Sequence, residues 1–174
     1  MIEKWKKVEE NLVYNGHRGI QRKKFLMPNL KVEEYDIFSA RDYVAIIALT
    51  PQKEIILTRQ FRPGTEEIFD EIPSGMIDGN EIPREAGERE LLEETGYTGS
   101  FTEVGKAPLA AYENIYGYCI TAVYCKKIRE PCSDSDEFLE TRLCSLTRFR
   151  ELLRNGKSLN IHLAYMGLDY LRLL

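Results

Sequence analysis

The longest apolar run of the sequence, YVAIIAL at residues 43–49, most constrains what this chain can fold into. It has the length of a β-strand and falls far short of the roughly 20 apolar residues that a membrane-spanning helix needs. A second apolar run, EIILTRQF at 54–61, follows after TPQK, and together the two runs predict a buried hairpin. We therefore expect a core built around a sheet, and no membrane as a partner.

Strand signals occur on both sides of this hairpin. Residues 11–38 contain short β segments separated by the turn signals NG and PN, and YCITAVYC at 118–125 is rich in β-branched and aromatic residues. A first helix is predicted between Pro83, which suits an initial helical turn, and Gly96, which suits a C-terminal cap. This mixture predicts an α/β (α+β) domain or layers of the α/β/α kind.

Two further helices are predicted near the end of the sequence. Ser145 is a suitable N-cap for a helix that ends at Gly156, and a last helix is expected at about 159–174. The last helix carries an apolar stripe that we expect to be buried, formed by Ile161, Ala164, Tyr165 and Leu168.

The composition limits the classes of partner. Hydrophobic residues make up 43% and charged residues 30%, which is an ordinary globular mixture. The 28 acidic residues outnumber the 24 basic ones, so nucleic acid is not expected as a partner. The 4 cysteines form no CxxC pair, which favours reduced thiols over a zinc site. The first ten residues lack the apolar stretch of a signal peptide, so a cytoplasmic location is expected.

The stretch RELLEETGY at 89–97 concentrates negative charge on one side of the first predicted helix. Glu90, Glu93 and Glu94 are three and four positions apart and therefore share a face. Like charges at this spacing destabilise a helix by roughly 0.2–0.5 kcal/mol per pair, and the helix dipole disfavours anions at this end. A hard divalent cation would bind them and bridge to substrate phosphates, with Arg89 as a neighbouring permanent cation. A solvated acidic face is the alternative.

The longer segment GMIDGNEIPREAGERELLEETGY at 75–97 resembles the signature of the Nudix hydrolases, G-x5-E-x7-R-E-U-x-E-E-x-G-U. It matches every fixed position, with Tyr97 where an aliphatic residue is usual. The resemblance implies an α/β/α sandwich around a mixed sheet and a loop–helix–loop that holds Mg²⁺ or Mn²⁺. It also implies hydrolysis of a nucleoside diphosphate linked to another moiety, X. The positions that would organise this segment are Gly75, Glu81, Arg89 and Gly96.

The same resemblance assigns the metal ligands and the catalytic base. Carried over by position, Glu90 and Glu94 are the expected principal ligands, with Glu93 beside them and the carbonyl of Ser74 as a further ligand. Related enzymes place a glutamate in a loop that corresponds to SDSDEFLE at 133–140. The candidates for the base are therefore Glu137, its rivals Asp136 and Asp134, and the box acids Glu93 and Glu94. A solvated acidic turn is the alternative for the loop.

Two flanking segments resemble the branch of ADP-ribose pyrophosphatases and related sugar-nucleotide hydrolases. TRQFRPG at 58–64 is similar to its R-Q-Y-R segment, and FDEIPSGMID at 69–78 to its E-x-P-A-G segment. Arg59 and Arg62 are candidates for phosphate contacts, with solvated strand-end arginines as the alternative. Glu71 is a candidate for binding metal or substrate, or for shaping a turn.

The region after the box departs from that branch. Where the branch commonly has an S-P-G-rich loop, this sequence reads KAPLAAYENIYGYC, with Tyr112 near the expected proline. A tyrosine past the box is similar to dinucleoside-polyphosphate hydrolases. Tyr112 is a candidate for stacking on a base, and anchoring its own loop is the alternative.

These resemblances predict a metal-dependent hydrolase. Water would attack a phosphorus atom of ADP-ribose or a related sugar nucleotide and release a nucleoside monophosphate and a phosphorylated X. GDP-mannose or a dinucleoside polyphosphate is the alternative substrate. A Nudix domain that binds a nucleotide as a sensor without turnover is the alternative of another class.

Residues 1–40 are expected to form a small antiparallel β region, and residues 41–174 the Nudix domain. Three short strands have little core of their own and must cover one face. In the sugar-nucleotide branch the matching region packs or exchanges across a twofold axis, and a homodimer is the commonest oligomer. We therefore predict a homodimer, with Phe25 or a neighbouring aromatic near the nucleotide; folding back on its own core is the monomeric alternative.

Overall fold

The computed structural model describes residues 2–16, 18–132 and 138–174, which form two compact units. The first contains the chain up to Asp42 together with Pro108–Tyr116, and the second contains Tyr43–Ala107 and Gly117–Leu174. The sequence boundary at residue 40 did not separate out the segment 108–116. That segment joins the first unit because the backbone of Phe38 bonds to it, with distances of 2.9 Å to the carbonyl oxygen of Tyr112 and 3.1 Å to the amide of Asn114.

The first unit is a three-stranded antiparallel sheet in the order β1-β2-β3. Its strands are β1 (Lys6–Asn15), β2 (Gly19–Leu26) and β3 (Val32–Ser39). β1 begins earlier than the apolar NLVY segment suggested. Its charged residues extend the ladder because Glu9 pairs with Lys24 at 2.9 Å and Glu10 with Lys23 at 3.3 Å.

The second unit contains a mixed sheet in the order β10-β5-β4-β9-β8, with β6 paired to β5 and β7 paired to β4. The strands are β4 (Tyr43–Leu49), β5 (Ile55–Arg62), β6 (Glu67–Glu71), β7 (Ser74–Met76), β8 (Tyr97–Pro108), β9 (Tyr116–Lys127) and β10 (Glu140–Cys144). β4 and β9 are parallel, whereas β4 and β5 are antiparallel with Leu49 opposite Ile55. The predicted hairpin is confirmed.

Three helices complete this unit: α1 (Pro83–Thr95), α2 (Leu146–Arg154) and α3 (Ile161–Tyr170). Alternate residues of β4 belong to two different cores. Ile46 packs in a cluster with Ala86 and Leu91 of α1, and Ile47 packs in a cluster with residues of α2 and α3. The sheet therefore has α1 on one face and α2 and α3 on the other, which is the expected α/β/α sandwich.

The last helix differs from its prediction in length and in its buried face. α3 ends at Tyr170, and Tyr165 is 36% exposed, so its assignment to the buried stripe is wrong. Gly167 faces the sheet instead, where an added Cβ would lie 2.7 Å from Cγ1 of Ile47. The buried face of α3 is formed by Leu163, Ala164, Gly167 and Leu168, so it keeps Ala164 and Leu168 of the predicted stripe and leaves Tyr165 outside. Among the helices of the described residues, none has the length and apolarity needed to cross a bilayer.

Candidate active site

Both ends of α1 are fixed by local chemistry. Pro83 begins the helix, where its missing N–H costs nothing, and the side chain of Glu85 accepts a hydrogen bond from the backbone of Ile82 at 3.4 Å. The helix stops at Gly96, whose φ of 76° is in the left-handed region. A Cβ there would also lie 2.0 Å from the carbonyl oxygen of Arg129, so only glycine fits. This stop places Glu93 and Glu94 in the last helical turn.

Arg89 connects the helix to the loop before it. Its Nε and Nη2 donate to the two carboxylate oxygens of Glu81 at 2.8 and 3.0 Å, and Nη2 also donates to the carbonyl of Met76 at 3.0 Å. Its Nη1 donates to Glu90 at 2.7 Å and to Glu93 at 3.1 Å. One guanidinium therefore holds the loop and offsets the repulsion between two acids of the helix.

The electrostatics of this group follow from the same contacts. The hydrogen bond from Arg89 lowers the pKa of Glu81, and partial burial opposes that shift. The bond to Glu81 raises the pKa of Arg89 in turn, and the bonds to Glu90 and Glu93 act in the same direction. Arg89 is therefore a fixed positive charge within the acidic segment.

The remaining predicted metal ligands meet at β7. The backbone N–H of Ser74 donates to Oε2 of Glu94 at 3.2 Å, and the side chain of Glu94 is buried. A Cβ added to Gly75 would lie 2.0 Å from Cδ of Glu90, so the missing side chain makes room for that carboxylate. Two consecutive residues of the sheet therefore contact both principal carboxylates, and Glu93 joins them through Arg89.

The donor set suits a hard cation. Carboxylate and carbonyl oxygens are the ligands that Mg²⁺ and Mn²⁺ take in proteins, and the space at Gly75 is what lets Glu90 approach the backbone of β7. Within the described ranges, no three His, Cys, Asp or Glu side chains are already arranged around one point as a metal site. Glu90 and Glu93 instead share one nitrogen of Arg89.

A second pair of charges lies on β5 and β6. Glu71 is completely buried, and Arg62 donates Nε to one of its oxygens at 2.8 Å and Nη2 to the other at 3.0 Å. Burial raises the pKa of Glu71, while Arg62 and then Gln60 oppose that shift through hydrogen bonds. The hydroxyl of Thr58 donates to the backbone carbonyl of Glu71 at 3.4 Å. The pair is a bidentate fork of the kind that fixes geometry.

The two predicted phosphate-binding arginines lie on opposite faces of the sheet. Side chains alternate along a strand, and on β5 Ile56 packs with α1 whereas Leu57 packs with α2 and α3. Arg62 therefore shares the face of α1, and Arg59 has the face of α2 and α3. Arg59 contacts Asp70 at 3.5 Å and lines a separate cavity of about 400 Å³. Of the two arginines, only Arg62 is brought to the face that carries the box helix.

Tyr112 belongs to the first unit, where its ring stacks on Tyr35 with a centroid distance of 6.1 Å and an interplanar angle of 15°. Phe25 meets the same ring edge-on at 6.0 Å, and Trp5 approaches it at 6.1 Å. The two aromatic residues singled out from the sequence thus lie in one cluster centred on Tyr35. Sequence reasoning did not single out Tyr35 as that centre, because its position depends on the pairing of β2 with β3 and on the contact with Tyr112.

The candidate base Glu137 and its rivals Asp136 and Asp134 lie outside the described residues. Two residues that flank that segment contact α1. The backbone N–H of Cys132 donates to the carbonyl of Glu93 at 2.8 Å, and the hydroxyl of Thr141 donates to the carbonyl of Glu94 at 3.5 Å. Both contacts involve the last turn of α1. Neither residue was singled out from the sequence, because a backbone donor and a threonine carry no signal of their own.

Comparisons with known proteins agree with this geometry. A family model described as the NUDIX domain matches residues 40–163. An ADP-ribose pyrophosphatase of Bacillus subtilis (strain 168) is 30% identical over 151 residues, which cover 84% of this chain and 80% of that protein. An ADP-ribose pyrophosphatase of Saccharomyces cerevisiae is 36% identical over 102 residues, which cover 52% of this chain and 43% of that protein.

Two further similarities concern a regulator and the fold. A protein of Bacillus methanolicus named methanol dehydrogenase activator is 33% identical over 118 residues, which cover 66% of this chain and 63% of that protein. A crystal structure of an ADP compounds hydrolase superposes with a TM-score of 0.82 at 21% identity, over 100% of this chain and 99% of that one. The second similarity supports the fold of the whole chain.

The sandwich and its box helix define a hydrolase of phosphorus anhydrides. The family model covers most of the chain and one relative is similar over most of both lengths, so the chain belongs to the Nudix family. It is a pyrophosphatase of the Nudix type.

Proposed function

We propose that this enzyme hydrolyses the diphosphate bond of ADP-ribose or a related sugar nucleotide, releasing a nucleoside monophosphate and a sugar phosphate. The observation that carries the proposal is the meeting of Glu90 and Glu94 at Ser74 and Gly75. Arg62 lies on the same face of the sheet and supplies a cation for a phosphate. The similarity to the ADP-ribose pyrophosphatases of Bacillus subtilis and yeast supports the choice of substrate.

Mg²⁺ or Mn²⁺ would be held by the carboxylates of Glu90, Glu93 and Glu94 and by the carbonyl of Ser74. When bound, such a cation would neutralise the diphosphate charge and lower the pKa of the attacking water. Arg89 keeps the acids in register through its bonds to Glu90 and Glu93. Arg62 orients a phosphate oxygen, and a carboxylate accepts the proton of the water. The candidates for that base are Glu93, Glu94 and Glu137.

A panel of nucleotides tests the substrate. With Mg²⁺ present, ADP-ribose should release AMP faster than GDP-mannose, a dinucleoside polyphosphate or ATP releases its products, with release followed by chromatography. The physical reason is that Arg62 and a cation held by the box carboxylates would neutralise a diphosphate without needing a third phosphate. Clear preference for the triphosphate or the dinucleoside polyphosphate would contradict the proposal. Tyr112→Leu in the same panel tests the predicted base contact, since loss of stacking should raise KM for ADP-ribose.

We also propose that the first unit forms the interface of a homodimer in the cytoplasm. Every residue of β1 is exposed, and β1 is an edge strand that includes the apolar Val8, Leu12, Val13 and Tyr14. An exposed apolar edge strand favours pairing with a second copy. Light scattering at micromolar concentration should give the mass of a dimer. Replacing Val8 and Val13 by lysine should give a monomer, and a monomeric wild type would refute the assignment.

A further inference from the structure

Glu71 has contacts unlike those of a metal or substrate ligand. Its side chain is completely buried, and both of its oxygens accept from the guanidinium of Arg62. We infer that Glu71 is a positioning residue that fixes the guanidinium of Arg62 for a substrate phosphate. This inference rests on the proposed function and deepens it, because it separates two residues that the sequence placed in one role.

The division of donors on Arg62 supports this role. A guanidinium has five N–H donors in a rigid plane, and Glu71 accepts from one edge of that plane. The side chain of Arg62 is 34% exposed, so it is accessible from solvent although its partner Glu71 is completely buried. Because two hydrogen bonds join Glu71 to the guanidinium of Arg62, the orientation of that guanidinium is fixed before substrate binds. Preorganisation of this kind reduces the entropy lost on binding.

A short stretch of backbone connects Glu71 to the box residues. Glu71 and Ser74 are three residues apart and cannot be separated by more than roughly 11 Å. The hydroxyl of the buried Thr58 holds the carbonyl of Glu71, and the amide of Ser74 holds Glu94. One short segment therefore fixes both the arginine and a principal carboxylate. The guanidinium of Arg62 and the carboxylate of Glu94 are thus both tied to residues 71–74.

Stability alone gives little reason for this pair. Removing a carboxylate and a guanidinium from water costs about as much as their attraction returns, so apolar residues of similar volume would serve the core equally well. A carboxylate that no solvent reaches has a role only through the group that contacts it. Here the charged group is Arg62, whose side chain is 34% exposed, and Gln60 adds a weaker hydrogen bond.

The test uses the full chain and two probes. Binding of α,β-methylene-ADP is measured by calorimetry with and without Mg²⁺, and turnover of ADP-ribose gives KM and kcat. The variants are Glu71→Gln, Arg62→Lys, Arg62→Met and the double variant Glu71→Gln/Arg62→Met. Glu67→Gln is the matched control, because Glu67 is an exposed glutamate on the same strand that pairs with Lys157 at 3.2 Å.

Glu71→Gln should weaken probe binding and raise KM roughly tenfold, with kcat changed far less. Arg62→Lys should do the same although it keeps the charge, because lysine lacks the fork. The double variant should bind no more weakly than Arg62→Met alone, since Glu71 acts only through Arg62. Glu67→Gln should behave as the wild type.

Wild-type binding by Glu71→Gln, or additive losses in the double variant, would overturn the inference. So would a changed Mg²⁺ requirement with unchanged binding of the metal-free probe, which would make Glu71 a metal ligand. If Glu71→Gln does not fold, Arg62→Lys decides, and binding as tight as wild type refutes the role. Failure to cleave ADP-ribose with the binding pattern intact would reject the proposed function and leave the inference standing.

Discussion

Two networks of charged residues in this molecule are built from the same types of side chain but differ in their exposure to solvent. In the first unit Arg22 bonds to Asp36, and Lys24 bonds to Glu9 and Glu34, all between neighbouring strands. Each of these side chains is at least 31% exposed. In the box, Arg89 is 27% exposed and Glu90 only 13%. Ion pairs in open solvent contribute little, whereas the partly enclosed ones fix a geometry.

The geometry of the partners differs as well. The pairs of the first sheet are matched one cation to one or two acids across strands, so charge is locally balanced. In the box one guanidinium serves three acids, and Glu94 is held by a backbone amide. An excess of negative charge therefore remains beside Gly75. Such an excess is what a divalent cation can use, and it separates a site from a solvated surface.

The largest expected effect is on turnover. Glu94→Gln should lower kcat by roughly 10²- to 10³-fold, because it removes a charge from the proposed metal site while keeping the acceptor for the amide of Ser74. Steady-state kinetics with ADP-ribose and Mg²⁺ measure the loss. Asp36→Asn in the first unit, and Glu88→Gln on the exposed side of α1, are the controls and should keep full activity. Comparable losses in the controls would erase the distinction between the networks.

The next effect is on stability. Arg89→Met should lower the free energy of unfolding by roughly 2 kcal/mol, because the loop and helix lose the cation that three carboxylates share. Arg22→Met should leave the free energy of unfolding nearly unchanged, since its partners are open to solvent. Urea denaturation of the two variants beside the wild type makes the comparison. Equal losses would show that enclosure does not matter here.

The smallest expected effect is on the acid side of the pH profile. The folded-state pKa of Glu81 is lowered from 4.5, so its contribution to stability is present above about pH 4.5 and is lost as the pH falls through the lowered value. Glu81→Gln should therefore flatten the decline of the melting temperature below pH 4.5. Asp36 has a lowered pKa for the same kind of reason, but its side chain is 55% exposed, and Asp36→Asn should change the profile less. A larger change for Asp36→Asn would reverse the ranking.

Patterns of fixed spacing were predictable from the sequence. The start of α1 at Pro83, its stop at Gly96 and the hairpin of β4 and β5 depend on local rules, and the structure confirms them. Contacts between distant residues were not predictable. The local sequence does not indicate that Arg62 hydrogen-bonds to Glu71 or that Arg89 hydrogen-bonds to Glu81. Both pairings depend on how strands and loops come together in the fold.

Some features of the structure follow from strand and helix periods that the sequence analysis did not apply. Arg59 and Arg62 are three positions apart in a strand, so the alternation of side chains already placed them on opposite faces. Tyr165 was assigned to a buried stripe by helical spacing, but the close approach of Gly167 to Ile47 set the buried face. The short strands β6 and β7 were not predicted. Pro73 interrupts the sequence between them, and β6 forms by pairing with β5 and β7 by pairing with β4.

The contacts at the last turn of α1 have a consequence for how the family can diversify. The amide of Cys132 bonds to the carbonyl of Glu93 and the hydroxyl of Thr141 to the carbonyl of Glu94, so these two residues contact the same helix end. Cys132 and Thr141 are therefore two anchors on one turn of α1. Loops of other lengths and sequences can be exchanged between these two anchors without rebuilding the helix, so new substrate preferences can arise while the hydrolytic centre is inherited unchanged.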